Sequence, residues 1–164
     1  MTVTPVFQEN DIVFFPYPTA HSDKIKGTIT SLIIVANSFG QYNYEMKIRL
    51  DSDGGIVRVQ TRLYPDGAFE RVTQTPLPTY AVPFEFGDVV KGMTQTDSNR
   101  WEECEGYIGC FGITYLSKGI PCVWLDLVIS ESPERYASVL AISAKLIREC
   151  HEKAPETTTQ NLYI

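Results

Sequence analysis

Histidine is scarce in this chain, two in 164 residues, and its four cysteines never form a CxxC pair. Zinc sites are built from closely spaced Cys and His, and a Cys nucleophile needs a His or a helix N-terminus to hold its thiolate. His21 and His151 are the only partners for Cys110 or Cys122, and neither Cys opens a predicted helix. Cys150 and His151 are adjacent on a predicted helix, so they point ~100° apart and do not converge on one metal. No stretch approaches the ~18 apolar residues that span a bilayer, and the first residues lack the basic and apolar regions of a signal peptide. The expectation is therefore a soluble, cytoplasmic protein with no membrane partner and with reduced, buried thiols; a Cys104 to Cys122 disulfide stays open as an alternative. Cations are also short, 14 Lys and Arg against 20 Asp and Glu, for a net charge of −6. That balance argues against general nucleic-acid binding, which needs surplus cations to displace counterions from phosphates.

Catalytic motifs are missing as well. There is no P-loop, dinucleotide fingerprint or nucleophile elbow. "DSDGG", residues 51 to 55, opens like a calcium loop, but Arg62 stands where the bidentate Glu of position twelve belongs. No catalytic residue, metal ligand or cofactor is assigned, and the reading inclines away from an enzyme.

What the chain does have is β-strand pattern. Hydrophobic residues make up 43% and charged residues 21%, which is ordinary for a folded domain. "FQENDIVFF", residues 7 to 15, is echoed by "FEFGDVVKG", residues 84 to 92, with Phe7 and Asp11 matching Phe84 and Asp88. Gly27 lies sixteen residues beyond the first Asp and Gly106 eighteen beyond the second, each leading to an Ile. "YNYEMKIRL", 42 to 50, alternates apolar and polar residues, the period of a half-buried antiparallel strand. "DSDGG" is the strongest turn signal, and "IVRVQTRLY" returns as its hairpin partner. "TQTPLPTYAVP", 73 to 83, reads as a Pro-stiffened linker. Beyond it the order restarts with "GDVVKGM", then "RWEECEGYIGCFGITYL" broken by three glycines, then "IPCVWLDLVI". Two copies of a small β-domain explain this order, with one larger barrel or sandwich as the alternative.

From 132 the pattern changes. Ser132 suits an N-cap, Pro133 the first helical position and Glu134 the positive dipole end. Tyr136, Val139, Leu140, Leu146, Ile147 and Cys150 recur at three- and four-residue spacing, which predicts a helix over 132 to 153.

A curved second strand with an early Gly, and a third-to-fourth-strand hairpin closed by an Asp-Gly turn, resemble SH3-like barrels of the Tudor and KOW type. The residues carrying the resemblance are "DIVFF", "KGTITSL" and "YEMKIRLDSDGGIVRV", and in the second copy "GDVVKGM" with "RWEECEGYIG"; that copy departs from the pattern in lacking an Asp-Gly turn. The fold class expected is mainly β: two tandem SH3-like β-barrels with a C-terminal α-helix. Residues 7–72 form the first barrel, 73–83 the linker, 84–131 the second barrel, 132–153 the helix and 154–164 a tail.

The resemblance implies recognition rather than chemistry, through aromatic cages for cationic side chains or through contacts with protein or nucleic acid. Candidate ligand-binding residues are Phe15 and Tyr17 near the first loop, with Trp101 and Glu103, where a ring beside carboxylates suits a cation. Tyr42 and Tyr44 fit the core better, by their alternation. The function expected is a non-catalytic adaptor binding a protein or cationic peptide. The alternative is a small metabolite or nucleotide held by Lys24, Lys26, Arg58 and Arg62. A homo-oligomer would cover the strand edges that small barrels expose.

Overall fold

The computed structural model describes residues 1–115 and 121–149 and is mainly β, with antiparallel strand pairs. The described residues divide into two compact units, one of Thr2–Ala81 and Ile113–Cys122, the other of Met1, Val82–Gly112 and 123–149.

In the first unit β1 is Thr2–Val3, β2 Ile12–Pro16, β3 Lys24–Asn37, β4 Tyr42–Leu50 and β5 Ile56–Gln60. A 3-10 turn at Thr61–Leu63 leads to β6, Glu70–Arg71, and then to β7, Tyr80–Ala81. Strand β2 pairs with β3, β3 with β4 and β4 with β5, and β6 returns to pair with β2. The alternation in β4 is realised as the pattern requires: Tyr44, Met46, Ile48 and Leu50 are buried while Glu45, Lys47 and Arg49 are exposed. Residues 73–83 are more than a linker, because Thr2–Val3 pairs with Tyr80–Ala81.

The second unit takes β8, Val89–Gln95, then β9, Trp101–Tyr115, as far as Gly112, β10, Pro121–Glu131, from Val123, and β11, Glu134–Leu140; a 3-10 turn at Ala141–Ser143 precedes β12, Lys145–Arg148. Strand β8 pairs with β9, β9 with β10 and β10 with β11, and β12 returns to β8. This is the pairing scheme of β2 to β6, again with a 3-10 turn before the returning strand.

The helix expected over 132–153 is therefore corrected through residue 149, the rest lying outside the described residues. Pro133 follows a cis bond in the β10–β11 turn and starts no helix. Of the apolar residues at helical spacing, Val139 is buried, but Tyr136, Leu140, Leu146 and Ile147 are exposed. Pairing decided the outcome: Val139 stands opposite fully buried Leu125 on β10, which gives it a core position that only a strand can reach. The glycines of β9 do not break that strand either. A Cβ on Gly106 would lie 2.5 Å from the Val128 carbonyl oxygen, and one on Gly112 would overlap the Trp124 ring, so they mark close approach.

The echoed motif has the same geometry in both units. Asp11 and Asp88 are buried, and the Oδ2 of each accepts the amide N–H three residues earlier, from Gln8 at 2.9 Å and Glu85 at 2.8 Å. The residue before each Asp, Asn10 or Gly87, has positive φ, the left-handed state that Asn and Gly tolerate best. Its N–H donates to Ile29 or Ile108, whose own N–H donates to the carbonyl of Asp11 or Asp88, all at 2.8–2.9 Å. Phe7 and Phe84 are buried at the start of the turn. Gly27 opposite Val13 and Gly106 opposite Val90 then hold equal registers, so the two extra residues of the second copy fall in the hairpin between them.

Asp11 is also gripped by Arg71, whose Nε and Nη2 donate at 2.7 and 3.1 Å. Removing the cation strands a carboxylate that is 1% exposed. Arg71→Ala is expected to lower stability by about 3 kcal/mol, whereas Lys24→Ala, which breaks the exposed pair with Glu70, costs less than about 1 kcal/mol. Chemical denaturation of the two variants checks the contrast. Gly106→Ala, which must displace the β10 backbone, is expected to cost about 1–3 kcal/mol in the same assay.

Candidate functional site

The second unit carries a groove of about 930 Å³ between the β8–β9 hairpin and the β10–β11 hairpin. Strand pairing explains how its side chains meet. Gln95 opposes Trp101 and Met93 opposes Glu103, so Trp101, Glu103, Met93 and Gln95 share one face. On the other wall Tyr136, Ser138 and Leu140 share a face of β11 opposite Val128, Asp126 and Trp124. Ser138 hydroxyl donates to Asp126, and Tyr136 hydroxyl to Glu134.

Two properties set this groove apart. Five of its lining residues, Met93, Trp101, Ile129, Tyr136 and Leu140, are large apolar or aromatic groups left exposed, Trp101 at 57%. A clustered set of such groups is the informative case, unlike scattered surface hydrophobics. The groove is also acidic: Asp97, Glu102, Glu103 and Glu105 line it against one cation, Arg135. Glu103 pairs with Lys91 at 3.0 Å and raises that amine's pKa through the hydrogen bond, while the other three carboxylates form no salt bridge among the described residues.

The first unit carries a separate hollow of about 720 Å³, walled by Phe7, Tyr42, Tyr44, Tyr64 and Phe69, with Arg62 and Asp66 at its edge. Tyr44 is core: its hydroxyl accepts the Val6 N–H at 2.9 Å, and burial raises its pKa. A smaller hollow of about 190 Å³ takes Arg58 with Lys47 and Glu45.

Of the residues singled out by sequence, Trp101 and Glu103 lie together in the acidic groove. Phe15 is corrected to core, being fully buried and stacked on Phe69 at 5.5 Å, so no ligand reaches its ring. Tyr17 is half-buried beside Phe15, 6.3 Å between centroids. Arg58 and Arg62 line different hollows, Lys24 pairs with Glu70 and Lys26 with Asp51, so the four cations form no single anion site. Met93 is legible in principle, since it alternates with Lys91 and Gln95 on the face of β8 away from Val90 and Gly92. Tyr136 and Leu140 are not, because their exposure depends on β11 being a strand.

Among the described residues no three His, Cys, Asp or Glu converge as a metal site, and no helix is long and apolar enough to cross a membrane. Cys104, Cys110 and Cys122 are free and half-buried, which leaves the Cys104 to Cys122 disulfide unformed. Burial, with Asp126 as a second cause, pushes the Cys110 thiol up to about 11, the reverse of what a nucleophile needs. Compared with family models, curated proteins and solved structures, the chain matches none.

A raised thiol pKa means a thiol still protonated at neutral pH. In a variant keeping Cys110 as its sole cysteine, reaction with an aromatic disulfide reagent is expected to be slow at neutral pH. Its rate should keep rising as pH climbs toward about 11. A rate that levels off near pH 8.5, the value of a free thiol, would contradict this.

Proposed function

We propose that this protein is a non-catalytic binding protein built of two small SH3-like barrels, and that the second unit holds a cationic peptide in its acidic, aromatic-walled groove. The shared pairing scheme supports the first part, because a fifth strand returning to the first is how a short antiparallel sheet closes on itself. The observation that carries the second is the coincidence, in one groove, of exposed Trp101 and Tyr136 with four carboxylates and one arginine. Apolar walls supply burial, while the ring faces and carboxylates both favour a cation. The nucleotide alternative needed Lys24, Lys26, Arg58 and Arg62 together, and their dispersal speaks against it.

Lys- and Arg-rich peptides are expected to bind, measured by isothermal titration or tryptophan fluorescence, and peptides with Asp and Glu at the same positions to fail. Trp101→Ala should weaken binding about tenfold, the worth of one good ring-to-cation contact, without changing the melting temperature of so exposed a site. Glu102→Gln with Glu105→Gln should weaken it further and flatten its salt dependence. Equal binding of acidic and basic peptides would overturn the reading.

A further inference from the structure

We infer that the peptide enters the groove as an added β-strand, pairing along the open edge of β11; this rests on the reading of the groove as a cationic-peptide site. Strand β11 pairs with β10 on one side and ends the strand order of its unit, so among the described residues its other edge carries backbone donors and acceptors without a strand partner. That edge faces the groove. All six consecutive residues from Arg135 to Leu140 line it, whereas a strand face would contribute only every second one.

The opposite wall has the same character. Strand β12 covers β8 only along Val89, Val90 and Lys91, and the next residues but one, Met93, Thr94 and Gln95, line the groove consecutively. Between these stretches Gly92 sits against Val139, bringing the two strands together at one end. At ~3.4 Å per residue, Arg135 to Leu140 offers about 17 Å of edge, enough for a strand of five or six residues.

Natural sheet edges refuse partners with charge, proline, bulges or cover. Tyr136-Ala137-Ser138-Val139-Leu140 has neither charge nor proline, and its pairing with β10 is regular from Leu140 to Tyr136. An incoming strand would set alternate side chains beside Tyr136 and Leu140, which asks for apolar residues there, and the acidic lining asks for cations between them. The occupant is thus an extended segment of alternating basic and β-branched residues from another protein.

The probe is the end-blocked hexapeptide (Lys-Val)3, titrated calorimetrically with the full chain. A paired strand points alternate N–H groups at β11, so N-methylating either all three Lys or all three Val amides should weaken binding on the order of a hundredfold, and the complementary set should leave it nearly unchanged. Hydrogen exchange should show new protection along Arg135–Leu140. If both methylated peptides bind like the parent, or both lose binding, while Trp101→Ala still weakens the parent, strand addition is wrong and the groove reading stands. If neither (Lys-Val)3 nor any other basic peptide binds, both readings fall.

Discussion

Each unit of this protein turns on a buried aspartate. A carboxylate taken out of water must be hydrogen-bonded or charge-paired, and Asp11 and Asp88 meet that demand by closing the turn that leads into β2 and β8. The same turn fixes where the strand beyond it lies, because the residue before the Asp and the Asp carbonyl bond both ways to Ile29 or Ile108. From that anchor the register of the following hairpin is set, with a glycine at the point where the next strand's backbone passes close.

The units differ in what they leave open. The first fills its centre with rings, Phe7, Phe15, Tyr44 and Phe69 packing edge-on or stacked, and pairs its central aspartate with Arg71. In the second, the aromatic groups on the hairpins are turned outward at Trp101 and Tyr136 in a groove also lined by Asp97, Glu102, Glu103 and Glu105. The two units thus share a strand-pairing scheme, and the acidic groove with exposed rings belongs to the second.

Much of this was written locally in the sequence. Strict alternation in β4, the Asp-Gly turn after it and the Phe-to-Asp echo each depend on neighbours a few residues away, so pattern alone pointed to that strand, its turn and the matching turns before β2 and β8. The groove's first members, Trp101 and Glu103, were also visible as a ring beside carboxylates just after a polar turn.

Residues 132–149 show where local pattern stops. Ser132, Pro133 and Glu134 spell a helix start, yet an isolated amphipathic helix gains little until it packs, and here β10 and β8 each offered a strand edge to fill. That competition is settled by partners far away in the chain, which no short window contains. The sequence by itself determined the β-rich character, the acidic balance and the echo of Phe7 and Asp11 in Phe84 and Asp88. Tertiary pairing alone decided that β11 is an edge strand, and hence that Tyr136 and Leu140 join Trp101 in one groove, because exposure is a property of what remains uncovered after every strand has found its neighbour.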